Sequence, residues 1–164
     1  MDMQRRIVSI ATCGLILAST SATRFVATPP AACTLLTAAD ATKALEVQIQ
    51  PGKEYMNSTA CMWSPDPALS DSSRTVALNT HSLISFKAAK NPAITTIKIE
   101  PVSGIGDEAF YQIYPNNQSP FIWFRKGDVG ISIRILTRLK PKPFTLDQEK
   151  AKELVLAKAA VAKL

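Results

Sequence analysis

Phe121-Ile-Trp-Phe124, Arg125-Lys-Gly-Asp128 and Val129-Gly-Ile-Ser-Ile-Arg-Ile-Leu136 are the consecutive stretches that decide the fold class. In the third, Ile131, Ile133 and Ile135 alternate with Ser132 and Arg134, the period-two pattern of a strand with one face in an apolar core. The first is a short run of aromatic and β-branched residues, and the segment between carries a glycine at its turn, which is a hairpin signal. A tight antiparallel pair therefore sits in the later half of the chain.

Working outward, Arg74 to His81 alternates Val76, Leu78 and Thr80 against smaller or polar residues and predicts another strand. Ser58 to Trp63 predicts the first strand of the chain, ended by Pro65-Asp-Pro67. Leu83 to Lys90 reads as a short helix across the sheet, stopped by Asn91-Pro92. Ile94 to Glu100 either continues that helix or forms a strand, its β-branched content favouring the strand. Val102 to Ile113 is a glycine-rich bend leading into a further strand.

Helices are expected at both ends. Thr37 and Asp40 have capping-box spacing, with Leu36 as the staple residue, and predict a helix to about Leu45. Thr145 and Gln148 repeat the spacing, and Asp147 and Glu149 fall in a first turn where the helix dipole favours acids. That helix should run to about Leu164, with Ala151, Leu154, Ala157, Val161 and Leu164 as its inner stripe and Lys150 and Lys158 at the margins. The expected fold is α+β, a mainly antiparallel sheet with N-terminal and C-terminal helices packed on it.

The first residues have the three parts of an export signal. Arg5 and Arg6 precede the apolar run Ile7 to Ala18, and Thr20-Ser-Ala22 offers a cleavage site after Ala22. The run falls short of the ~20 residues a spanning helix needs, so no stable membrane insertion is expected once it is removed. Residues 1–22 read as signal peptide, 23–32 as a flexible leader containing Pro29-Pro30, and 33–164 as a single domain in the periplasm or outside the cell. Cleavage removes Arg5, Arg6 and Asp2 from a net charge of +6, leaving +5, too modest to indicate a nucleic-acid partner. Cys13 leaves with the signal. Cys33 and Cys61 then form the one pair available in an oxidising compartment, and the lack of C-x-x-C spacing favours a structural disulfide over a redox or metal pair.

Few residues offer chemistry. Gly104-Ile-Gly106-Asp-Glu-Ala109 matches the dinucleotide fingerprint G-x-G-x-x-A, but Pro101 limits the strand before it and strand-like residues follow it. Gly104, Gly106 and Asp107 are better read as a structural bend braced by Asp107. His81 is the one histidine in the chain, which excludes a multi-histidine metal site, and it is expected at the surface at a strand end. No cofactor or metal is expected. Arg125, Lys126, Arg134 and Arg138 cluster around the late hairpin and could form one basic face for an anionic polymer. The reading favoured is a non-catalytic domain that binds a small ligand or another envelope protein. A hydrolase of unrecognised type is the alternative, and it would need polar groups converging on His81 or on the Asp107–Glu108 bend.

The order of short motifs resembles a known group. Cys33-Thr-Leu-Leu-Thr-Ala-Ala-Asp40, Cys61-Met-Trp63, Gly104-Ile-Gly-Asp-Glu-Ala-Phe-Tyr111, Arg125-Lys-Gly-Asp128 and a last helix rich in lysine and alanine follow one another. The arrangement is similar to small bacterial exported or lipoprotein-like domains of unknown function. In these, a cysteine before the first helix bridges to a cysteine–x–Trp strand, and a GxGDEA bend precedes the later strands. The resemblance covers residues 33–164 and implies an envelope location and a sheet packed by helices, without assigning an activity.

Overall fold

A computed structural model of the chain describes residues 28–68, 74–115, 118–137 and 142–164. The proposed signal peptide, the first part of the leader and Arg138 lie outside the described residues. Among the described residues seven strands form one sheet: β1 (Lys53–Tyr55), β2 (Ala60–Trp63), β3 (Arg74–Ser82), β4 (Lys98–Val102), β5 (Glu108–Ile113), β6 (Phe121–Lys126) and β7 (Val129–Thr137). Their spatial order is β1-β2-β3-β7-β6-β5-β4, and every pairing is antiparallel. The helices are α1 (Ala38–Leu45), α2 (Leu83–Lys90) and α3 (Leu146–Val161). The α+β class with a mainly antiparallel sheet is therefore observed, and Cys33 is bonded to Cys61.

The isoleucine-rich strand β7 lies at the centre, between β3 and β6. Ile131, Ile133 and Ile135 enter a core with Val76 and Leu78 of β3, Ile122 and Phe124 of β6, and Leu156, Ala157 and Ala160 of α3. Alternation sends Gly130, Ser132 and Arg134 to the opposite face. There Phe86 of α2 packs on Phe110 with ring centroids 5.3 Å apart. Gly130 makes room for that crossing, because a Cβ on it would lie 2.9 Å from the Phe86 Cβ. The helical layers thus differ: α1 and α3 on one face, α2 alone on the other.

Both capping boxes are present. The Thr37 hydroxyl accepts from Asp40 N–H at 3.1 Å and Asp40 accepts from Thr37 N–H at 2.8 Å. Thr145 and Gln148 reciprocate in the same way at the head of α3. Each box satisfies two of the orphan donors that a helix start leaves behind.

Several boundaries differ from the sequence reading. The first strand is β1, three exposed residues after Pro51-Gly52, too short to show alternation. Strand β4 continues through Pro101 to Val102, which an edge strand tolerates because its outer side needs no ladder donors. Ala32, assigned to the leader, begins a 3-10 turn, is buried, and donates its N–H to Ser58 O at 2.7 Å. Of the expected inner stripe of α3, Ala157 is buried and Leu154, Val161 and Leu164 pack on the core half-covered, while Ala151 is exposed. The buried Glu149 and Glu153 turn the inner face toward themselves, Leu156 and Ala160.

The bend before β5 is held by a close approach. Gly106 has φ +56°, and a Cβ there would lie 2.3 Å from Arg125 O. Gly106→Ala is therefore expected to cost about 2–3 kcal/mol in urea denaturation, from left-handed strain plus backbone overlap. Gly104 has φ +78° but open space around it, so Gly104→Ala should lose only about 1 kcal/mol. Equal losses at the two positions would show that the overlap at Gly106 relaxes.

Candidate functional site

The face of the sheet opposite α1 and α3 is only partly covered. Helix α2 packs across β3, β7, β6 and β5 at the end where Gly130 and Phe110 lie. On β2, β3 and β7 the core-facing residues Cys61, Trp63, Val76, Leu78, Ile133 and Ile135 are buried, whereas Met62, Thr75, Ala77, Asn79, Arg134 and Leu136 between them are half-exposed. Lys53 and Tyr55 of β1 are exposed. A groove of about 670 Å³ lies at this outer end, lined by Pro51, Lys53, Tyr55, Met62 and Pro65 among others.

Where α2 covers the face, polar groups are tied together. Gln112 is the hub: its Oε1 accepts from Trp123 Nε1 and from Tyr114 OH, both at 3.1 Å, and its Nε2 donates to Ala89 O at 3.3 Å. His81 stacks on Trp123 with centroids 4.6 Å apart and lies 2.9 Å from Ser132 Oγ. Burial moves the imidazole below its ordinary value and favours the neutral ring. His81 is therefore not the surface histidine expected from its place at a strand end. It is half-buried because Trp123, from a strand more than forty residues later, covers it.

A serine–histidine contact invites a nucleophilic reading. Ser132 is only 2% exposed, however, and among the described residues no carboxylate orients the ring. In this arrangement the pair bolts β3 to β7. The Asp107–Glu108 bend does not approach it, because both carboxylates turn to Arg125: Glu108 Oε2 lies 3.1 Å from Nε and Asp107 Oδ2 3.5 Å from Nη1. Lys90 also pairs with Glu108, and these two cations, Lys90 foremost, hold its carboxyl below the usual range. Asp107 braces the β6–β7 turn by accepting from Gly127 N–H at 2.7 Å. The Gly104–Gly106 bend joins two adjacent antiparallel strands, so no helix N-terminus follows it to receive a pyrophosphate.

The three described members of the basic cluster do not form one open face. Arg125 is engaged by Asp107 and Glu108, Lys126 is exposed one residue further along and so on the opposite side, and Arg138 is not among the described residues. Arg134 stands apart from these. Its guanidinium carbon lies 4.5 Å from the centroid of the Phe121 ring, which Tyr114 also flanks at 5.7 Å. The residue is half-buried, and its Nε is buried without a hydrogen-bond partner. Burial lowers its affinity for the proton, with Glu153, Tyr114 and Glu149 acting in the other direction.

Sequence reasoning missed a second polar cluster, beneath α3. Glu153 is fully buried and its Oε1 accepts from Ile135 N–H at 3.0 Å, just beyond the last residue of β7 that pairs with β6. Glu149, 1% exposed, accepts from Ser119 Oγ at 3.1 Å and lies 3.5 Å from Lys142 Nζ. The second oxygen of each carboxyl is buried without a partner. Their i, i+4 spacing was the one available signal, and it is the spacing of ordinary surface charges too. Among the described residues no three His, Cys, Asp or Glu side chains are grouped to hold a metal ion. No described helix is long and apolar enough to cross a membrane.

No protein-family model matches the chain, and no curated protein or solved structure matches it either.

Proposed function

We propose that this chain is an exported bacterial envelope domain, periplasmic or secreted, that works by binding, and that Arg134 on the half-covered sheet face receives an anionic group of its ligand. The Cys33–Cys61 bond, which ties the turn before α1 to the strand bearing Trp63, supports the oxidising compartment. The observation that carries the binding site is Arg134 itself. A guanidinium has five N–H donors, and among the described residues this one has a ring beneath it and no acceptor for its Nε. The residue is half-exposed, so a ligand carboxylate or phosphate would meet the outer edge of the guanidinium, where contact is charge-assisted and can be bidentate.

Two measurements test the reading. Mass spectrometry of exported protein is expected to give Thr23 as the new N-terminus, and retention of residues 1–22 would count against the cleaved, released form. Titration with benzoate, followed by nitrogen-15 NMR, should shift the Arg134 Nε–H resonance saturably. Arg134→Met keeps the aliphatic stem over Phe121 and removes the donors, so it should abolish the accompanying shifts of β7 amides. Identical shifts in the variant would move the anion site elsewhere.

A further inference from the structure

Arg134 reaches from the solvent into the interior: the residue is half-exposed, yet its Nε is buried. On the α3 side of β7, Glu153 Oε1 accepts at 3.0 Å from Ile135 N–H, the amide that joins Ile135 to Arg134. The other Glu153 oxygen is buried with no hydrogen-bond partner among the described residues. From this juxtaposition, and taking Arg134 as an anion site, we infer that Glu153 regulates that site, so that an anion on Arg134 and a proton on Glu153 are taken up together.

The two groups act on each other because water is largely excluded between them. Glu153 is fully buried, and burial foremost holds its carboxyl above the ordinary glutamate range, while Ile135 N–H and Arg134 pull the other way. An anion that neutralises Arg134 weakens this pull, so the carboxyl keeps its proton more firmly. Ionised Glu153 in turn gives Arg134 a negative neighbour, which competes with the anion. Of the charges that act on Arg134, Glu153 stands ahead of Tyr114 and Glu149. The other groups around Glu153 are accounted for. Glu149, one turn away, opposes its ionisation and is held by Ser119 and Lys142, and Lys142 favours it. Tyr111 of β5 feels the Glu153 charge, and its hydroxyl donates to Lys150 O. On α3, Lys150 and Lys152 pair with Glu100 and Glu46. In α1, Asp40 pairs with Lys163 and Lys43 is exposed. The charged residues of β6, Arg125 and Lys126, stand at the end of the strand opposite Phe121. On the far face His81, held by Ser132 two residues before Arg134, is the other group that gains charge on acidification.

The test uses the exported protein with benzoate. Carbon-13 NMR of the Glu153 carboxyl locates its titration midpoint, and benzoate affinity is measured about two pH units to either side of it. Benzoate is expected to bind about three- to tenfold more tightly on the acid side. By reciprocity, saturating benzoate should raise the Glu153 midpoint by about 0.5–1 pH unit, and Arg134→Met, which removes the cation, should raise it as well. Both shifts are read with Glu153 in place, so they do not depend on how a Glu153 variant folds. Glu153→Gln, which keeps an oxygen for Ile135 N–H, should bind benzoate at the acid-side strength at both pH values. Wild-type pH dependence retained in Glu153→Gln would assign the effect to His81 or Glu149 and overturn the inference. Arg134-dependent binding of equal strength on both sides of the midpoint overturns the linkage and leaves the anion site standing. If benzoate binds at neither pH, the anion site falls and the linkage with it.

Discussion

Cys33→Ala and Cys61→Ala, singly or together, are expected to lower the unfolding free energy by about 3.6 kcal/mol, measured by urea denaturation. The figure is the chain entropy restored to the unfolded state when a loop of sequence separation 28 is opened. Alanine isolates the tether, since a serine hydroxyl at fully buried Cys61 would add a desolvation cost of its own. Wild type under reducing agent should match the variants, and the double variant should match the singles, because each removes the same constraint. Such a loss is a large share of the 5–15 kcal/mol typical of a domain. A loss under 1 kcal/mol would mean that the turn at Ala32–Thr34 is held to β2 by packing alone.

Glu153→Gln is expected to stabilise the protein at neutral pH and to flatten its stability against pH. The Glu153 carboxyl is pushed well above the ordinary glutamate range, foremost by burial and also by Glu149 on the next turn, against the opposing pull of Ile135 N–H, Arg134 and Lys142. In the folded state it therefore keeps a proton that the unfolded chain releases. Below the ordinary glutamate range both states are protonated and nothing is lost. As pH rises above that range the unfolded state gains, and stability falls until the raised native value is passed. Glutamine keeps an oxygen for Ile135 N–H and has no proton to lose, so this part of the slope should vanish. Glu153→Leu separates the two effects, because it leaves the buried Ile135 donor unpaired at a cost of about 1–3 kcal/mol at every pH. The measurement is urea denaturation from pH 4 to pH 8 for the three proteins. Parallel curves for wild type and Glu153→Gln would show that Glu153 is not the titrating group.

What could be read from the sequence was what depends on neighbours along the chain. The alternation of β7, the glycine turn at Gly127 and both capping boxes are short-range patterns with fixed spacing, and each was legible. The disulfide was legible on the expectation that Cys13 belongs to a cleaved signal, which leaves Cys33 and Cys61 as one pair. What failed depends on distant partners. Glu149 and Glu153 are buried by Ser119 and Ile135, which no helical periodicity can register. His81 is covered by Trp123 only after β3, β7 and β6 are set in register. In the sequence Arg134 is one of several cations around the late hairpin. The absence of an acceptor for its Nε among the described residues, which separates it from Arg125, is a fact of tertiary structure.

The layer formed by α1 and α3 joins the two ends of the chain. Lys152 donates to Ala44 O at 2.9 Å, and Lys163 reaches Asp40 at 3.4 Å, across more than a hundred residues of sequence. Helix α1 precedes every strand and α3 follows every strand, so a chain delivered from its N-terminus offers α1 its helical partner only when the last residues arrive. For an exported protein, as proposed, this order suits transit: the α1–α3 layer forms only once the far end of the domain has arrived. The Cys33–Cys61 bridge has no such delay. It lies wholly in the part that emerges first and can be locked while the rest is still in transit.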